Sequence, residues 1–145
     1  MKYISIFLTV LIITLVKANQ SKDFMDDKVT VASLKELVKK FVQERDWEQF
    51  HSPKNVSMGL AIEAAELMEL FLYSDEQDSY KRVVDKRQDI EDELADVLHW
   101  VLIFSYRNDI DLSSALENKL KKNAQKYPVE KSKGNYAKYT KLNKK

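Results

Sequence analysis

An all-α fold is what this sequence predicts, and three observations carry the prediction. Only two glycines and two prolines occur in 145 residues, which leaves little of the turn chemistry that β-hairpins need. Leu, Lys, Glu and Ala, all good helix formers, dominate the long segments. Apolar residues recur with a helical period: Leu34, Leu37, Val38, Phe41 and Val42 follow the i, i+3, i+4, i+7, i+8 rule. The length suits one domain, and 44% hydrophobic content is enough for a core. A net charge of +1 gives no reason to expect binding to a nucleic acid polymer. The absence of cysteine excludes disulfides and thiol catalysis.

Residues 1–20 read differently from the rest. Lys2 precedes a thirteen-residue apolar run from Ile4 to Val16, too short for a comfortable membrane span but suited to a signal-peptide core. Ala18 supplies a small residue at a cleavage position, so the expectation is a secretory leader with a mature chain beginning near Asn19. An uncleaved anchor or a misassigned gene start is the alternative. The folded domain is expected over residues 31–128, followed by a basic tail over 129–145.

Ser33-Leu-Lys-Glu36 reads as a capping box, so the first helix is predicted to start there. The connector from Glu44 to Asn55 is polar but carries Trp47, Phe50 and His51. Such aromatic residues commonly fold back onto a core; Trp47 and His51 together beside an acidic cleft read better as a binding wall. Ser52-Pro53 provides a cap and a first-turn proline for a second helix, expected to run to about Tyr73. Ser74–Ser79 is a polar connection. A long third helix is predicted from about Tyr80 to Arg107, and its second half, Val97–Phe104, is apolar on every side, as at a domain centre or a subunit interface. Asp111 caps the last helix, which Pro128 stops after Tyr127. The tail has six lysines and one glutamate and is expected to be largely flexible, although the segment from Lys133 to Thr140 is too aromatic for a plain linker.

Two acidic pairs carry the chemistry: Glu63-Ala-Ala-Glu66 and Glu93-Leu-Ala-Asp96. A spacing of three puts two side chains about 60° apart on one helical face, close enough to reach one ion. Two packed helices would gather four carboxylates, and four like charges persist together comfortably only around a cation. All-oxygen ligation suits Mg²⁺, Mn²⁺ or Ca²⁺; zinc is disfavoured with only His51 and His99 to supply nitrogen. An ordinary solvated acidic surface is the competing reading for the first pair. The second pair weakens it, because the face carrying Glu93 and Asp96 continues as Trp100, Ile103 and Phe104, which seek burial. His99 stands three residues from Asp96, a ligand-like spacing, yet reads as a hydrogen-bonded core histidine. Lys119, Asn123 and Lys126 form a row on the last helix. Such rows are usually solvated; facing an acidic metal site, this one would hold the outer phosphates of a nucleotide.

These motifs resemble the all-α nucleoside triphosphate pyrophosphatases of the MazG-like superfamily, whose signature is Glu-x-x-Glu followed by Glu-x-x-Asp. Here it falls on Glu63, Glu66, Glu93 and Asp96. The string Phe41-Val-Gln-Glu-Arg-Asp-Trp-Glu-Gln-Phe-His51, the segment from Glu63 to Phe71, and Asn123-Ala-Gln-Lys-Tyr-Pro128 are similar to the dCTP pyrophosphatase branch. The resemblance spans about residues 31–142. It implies a four-helix bundle assembled as tight helical dimers into a homotetramer, and a Mg²⁺-dependent hydrolase cutting dCTP, or a related pyrimidine nucleotide, to the monophosphate and pyrophosphate. By the same resemblance the four acids are metal ligands and catalytic groups, Trp47 and Tyr73 line the base pocket with Trp100 nearby, and Lys119 and Asn123 meet the phosphates; His51 on the aromatic connector and Lys126 in the same row join them as substrate-binding candidates. Tyr73 and Trp100 stand where relatives carry tryptophan and tyrosine, and Val38 where a pocket histidine is found. Those differences bear on base preference and leave the reaction unchanged. Relatives of this branch are cytosolic, whereas the leader points to the secretory pathway.

Two other classes compete. A di-iron carboxylate bundle needs two Glu-x-x-His units, and one Asp-x-x-His is present. A secreted helical signalling protein fits the leader and the helices, but gives no reason for acids to align with a buried aromatic stripe.

Overall fold

A computed structural model describes residues 24–142; the leader read at residues 1–20 lies outside the described residues. Helix follows helix, and no strand occurs among the described residues. None of their helices is long and apolar enough to cross a membrane.

Helix α1 spans Val31–Gln43 and starts earlier than Ser33. Its cap is Thr30, whose Oγ1 accepts from the Ser33 N–H at 3.1 Å while Ser33 Oγ accepts from the Thr30 N–H at 2.9 Å. The box is therefore Thr30 with Ser33. A serine hydroxyl can fill the accepting role that glutamate usually takes, so two overlapping box patterns exist and the upstream one prevails. A four-residue 3-10 turn, Trp47–Phe50, follows. It is entered through Asp46 in the left-handed region at φ 53°, where Gln49 Nε2 donates to the Asp46 carbonyl and carboxylate at 2.9 and 2.8 Å.

Helix α2, Pro53–Glu69, opens as expected on Ser52, which accepts from the Asn55 N–H at 3.2 Å. It closes at Glu69 instead of Tyr73. The N–H groups of Phe71, Leu72 and Ser74 each donate to a carbonyl three residues back at 3.0–3.1 Å, and Tyr73 sits at φ 59°, a geometry that no continuing helix allows.

The predicted single helix from Tyr80 to Arg107 is two: α3, Glu76–Asp85, and α4, Arg87–Arg107. Arg82 explains the break. Its guanidinium donates to Asp78 at 2.8 Å and to the carbonyls of Leu70 and Leu72 at 3.0 and 3.2 Å, which ties α3 to the frayed end of α2. Helix α4 packs along α2 instead, and Lys86, at φ −112° and ψ 32°, absorbs the change of direction. The remaining helices are α5, Leu112–Lys126, capped by Asp111, and two single turns, α6, Val129–Ser132, and α7, Tyr139–Leu142. The tail folds back on the end of α5. Tyr139 meets Tyr127 edge-on at 5.8 Å, and Lys126 Nζ lies 5.2 Å from the Tyr139 ring centre.

The most extensive packing is α2 against α4, then α1 against α4, with α3 on the same helix. Val42, Val56 and Ile103, one from each of α1, α2 and α4, form the centre, surrounded by Val38, Trp100, Phe104 and Tyr106. This is a small core. Met58 and Ile62 on α2, Leu94 and Leu98 on α4, and Leu116 and Leu120 on α5 all remain close to half exposed or more.

Gly59 fixes the approach of α2 to α4. A Cβ there would lie 2.6 Å from Trp100 Cε2 and 2.7 Å from Cζ2, inside any allowed contact. Alanine in a helix gains about 1 kcal/mol over glycine, but forcing a rigid indole aside costs about 1–3 kcal/mol. Gly59→Ala should therefore lower stability, by about 1 kcal/mol in chemical denaturation; a gain in stability would show that Trp100 does not rest on the α2 backbone.

Candidate active site

The acidic pairs arrive from α2 and α4, the two helices that pack most closely. One carboxylate oxygen from each of Glu63, Glu66 and Glu93 lies within 4.8 Å of the other two. Glu66 is exposed, whereas Glu63 and Glu93 are partly buried. Glu93 Oε2 is buried with no hydrogen-bond partner. Burial raises the Glu93 pKa above the ordinary carboxylate value, and the charges of Glu66, Glu63, Asp96 and Asp92 raise it further. Asp96, one turn along α4 from Glu93, lies outside this trio and lines the adjoining cavity together with Glu63.

That cavity, about 540 Å³, is walled by Leu37, Val38 and Phe41 of α1, by Trp47 of the 3-10 turn, and by His99 and Trp100 of α4. The apolar stripe read on α1 thus serves two purposes. Val42 is fully buried, while Leu37 and Phe41 face the cavity and stay 51% and 40% exposed. The aromatic rings form a continuous edge-to-face series: Trp47 to Phe41 at 6.0 Å, Phe41 to His99 at 5.8 Å, His99 to Trp100 at 6.0 Å and Trp100 to His51 at 5.5 Å. Each contact fixes the next ring. Arg45 stacks 3.6 Å from the Phe41 ring centre, and Glu48 pairs with Arg107 at 3.6 Å, so the connector is held at both ends. The Trp100 indole N–H donates to Glu63 Oε1 at 3.2 Å, joining the aromatic series to the acidic cluster.

The other residues singled out from the sequence are placed less directly. His51 is only 8% exposed and lies behind Trp100, not on the cavity wall, with Nδ1 unpartnered. Burial and the Arg107 charge lower its pKa. Tyr73 is 96% exposed. Lys119, Asn123 and Lys126 line no part of the cavity, because α5 has no extensive packing partner within the chain. His99 is the residue that the sequence misplaced: it makes no hydrogen bond to the described residues and faces the cavity. The pairing of helical spacing with the row Glu93, Asp96, Trp100 was the available signal for it, since residue 99 borders that row. A larger cleft of about 640 Å³ lies between α1 and the end of α4, remote from the acids. Two of its three cations are engaged, Lys35 with the Ile110 carbonyl at 2.7 Å and Arg107 with Glu48, and Lys39 is the third.

Three carboxylates this close, one of them with a buried, unpartnered oxygen, match what a hard divalent cation takes from a protein. A carboxyl raised in the folded state destabilises that state at pH values above its folded pKa, and the penalty lifts as it protonates. The metal-free protein should therefore gain stability as pH falls through the upper carboxylate range. Glu93→Gln should remove that gain, match or exceed the parent's stability at neutral pH, and shrink the stabilisation that Mg²⁺ confers. Thermal melts of both proteins across pH, with and without Mg²⁺, measure all three; equal Mg²⁺ shifts in parent and variant would refute the site.

Comparison with known proteins agrees with this arrangement. The sequence profile of the MazG-like family matches residues 59–142, which hold both acidic pairs. The dCTP pyrophosphatase 1 of Mus musculus is 36% identical over 115 residues, covering 78% of this chain and 68% of the mouse protein. The Homo sapiens protein of that name is 33% identical over the same shares. Among solved structures, a pyrophosphatase from Archaeoglobus fulgidus superposes with a TM-score of 0.65 at 31% identity, covering 67% of this chain and 91% of the other. The convergent acids of α2 and α4, the helical architecture and these similarities together establish that the chain belongs to the MazG-like family.

Proposed function

We propose that this protein is a nucleoside triphosphate diphosphatase that hydrolyses dCTP, or a closely related pyrimidine deoxynucleotide, to the monophosphate and pyrophosphate. The observation that carries the reading is the convergence of Glu63, Glu66 and Glu93 beside an aromatic cavity that Glu63 and Asp96 line. The similarity to dCTP pyrophosphatases over most of the chain supports it.

In this reading Glu63, Glu66 and Glu93 would hold Mg²⁺, with Asp96 one turn along α4 as a further ligand on the cavity side. Bound there, the ion supplies charge neutralisation along the triphosphate and a lowered pKa for water. The chain's own groups do the rest. Trp47 and Phe41 give the base a stacking surface, and Trp100, anchored on Gly59 and bonded to Glu63, sets the distance between base and acids. One of the four carboxylates accepts the proton of the water that attacks the α-phosphorus as pyrophosphate leaves. His51 supports the Trp100 ring from behind.

Assembly belongs to the same reading. Half-exposed Met58, Ile62, Leu94 and Leu98 on the two helices that carry the acids are apolar surface of the kind a second copy covers, and a homotetramer built from such dimers is proposed. Tyr73 and the row Lys119, Asn123, Lys126, which lie apart from the cavity in one chain, would reach the nucleotide only through such assembly. Passage into the secretory pathway is proposed on the leader alone: Lys2, the apolar run and Ala18.

Incubation with dCTP and Mg²⁺ should release pyrophosphate and dCMP, and chelation should stop it; orthophosphate as the product would reject cleavage at the α-phosphorus. Trp47→Ala should weaken substrate binding by about 1–3 kcal/mol, the scale of one base–aromatic stack, with helix content unchanged. An unaltered Michaelis constant would assign Trp47 to packing alone.

A further inference from the structure

The polar groups of the aromatic cavity are few, and most are committed. Glu63 accepts from the Trp100 N–H and, with Asp96, belongs to the proposed cation site, while the Trp47 indole offers a donor alone. His99 differs. It is half-buried, its ring is held edge-on to Phe41 at 89° and to Trp100 at 85°, and no described residue hydrogen-bonds it. A polar group oriented by packing on two sides, lining a cavity and lacking a protein partner, is placed to bond whatever enters.

Resting on the nucleotide reading above, we infer that His99 is the group that reads the base edge, accepting a hydrogen bond from the exocyclic amino group of a cytosine-type base. Burial keeps the imidazole neutral at physiological pH, against the opposing pull of Asp96 and Glu63, so the ring offers one donor and one acceptor. In this assignment the ring nitrogen that faces the base carries the lone pair and the other carries the proton. An amino group satisfies that acceptor. A keto oxygen at the same position, as in uracil or thymine, meets that lone pair unless the ring gives up the tautomer. The apolar walls, Leu37, Val38 and Phe41, cannot substitute for the imidazole, because none carries a polar side-chain atom.

The test uses the full chain and two variants, His99→Leu, close in volume without ring nitrogens, and His99→Gln, which keeps an acceptor. Calorimetric binding of dCTP and of dUTP, with Ca²⁺ in place of Mg²⁺, is measured beside pyrophosphate release from each with Mg²⁺. The parent should prefer dCTP. His99→Leu should lose about tenfold in that preference, in binding and in kcat/KM alike, and His99→Gln should recover part of it. Preference retained in His99→Leu overturns the assignment while leaving the reaction intact. Preference that depends on His99 in a parent that binds but releases no pyrophosphate upholds the assignment and removes the reaction. Failure of the parent to bind either nucleotide overturns both.

Discussion

The repulsion among carboxylates at the junction of α2 and α4 is the constraint on which the rest depends. Two charges 5 Å apart at an effective dielectric near 20 repel by about 3 kcal/mol. Glu63, Glu66 and Glu93 are brought within that range by the tightest helix pair in the molecule, so the packing that stabilises the fold also imposes the charge conflict. The raised pKa of Glu93 is the same conflict seen from one residue, with its burial as the larger cause. A divalent cation bound there would resolve it. Proximity of like charges on a scaffold held together elsewhere is how a site is prepared before its ion arrives.

What holds the scaffold is a chain of dependencies that runs away from the acids. Gly59 lets Trp100 lie on the α2 backbone, and Trp100 bonds Glu63 on one side while packing His51 and His99 on the others. His99 orients Phe41, which Arg45 covers and Trp47 abuts. The 3-10 turn that carries Trp47 is fixed in turn by Asp46 with Gln49 and by Glu48 with Arg107. The aromatic cavity and the acidic cluster are therefore one packed unit. Its outer faces are not: the apolar residues left open on α2, α4 and α5 mean that the hydrophobic burial of this chain is incomplete when it stands alone.

Much of this was legible in the sequence wherever a local rule decides the outcome. Ser52-Pro53 and Asp111 start helices as their chemistry requires, and Pro128 ends one. The Glu-x-x-Glu and Glu-x-x-Asp spacings placed the acids on facing helices, and the MazG-like resemblance read from them holds. Failures occur where two local signals compete or a distant contact intervenes. Thr30 outbids Ser33 because serine can accept as glutamate does. The bend at Lys86 is invisible to periodicity, since it is imposed by Arg82 reaching carbonyls more than a turn of chain away at the end of α2. His99 was read as a satisfied core group because its spacing puts it on a helix that is apolar all round; only the position of α1 shows that its side opens into a cavity. Nothing local to Lys119, Asn123 or Lys126 reveals that α5 is scarcely packed within the chain.

The central claim is that Glu63, Glu66 and Glu93 hold one divalent-cation site. Titration of the metal-free protein with Mn²⁺, followed by the loss of its free-ion electron paramagnetic resonance signal, measures this without reference to catalysis. The account predicts saturable binding that Mg²⁺ displaces and that the double variant Glu63→Gln, Glu93→Gln loses while keeping its helix content. Mn²⁺ binding of equal affinity in that variant would contradict it.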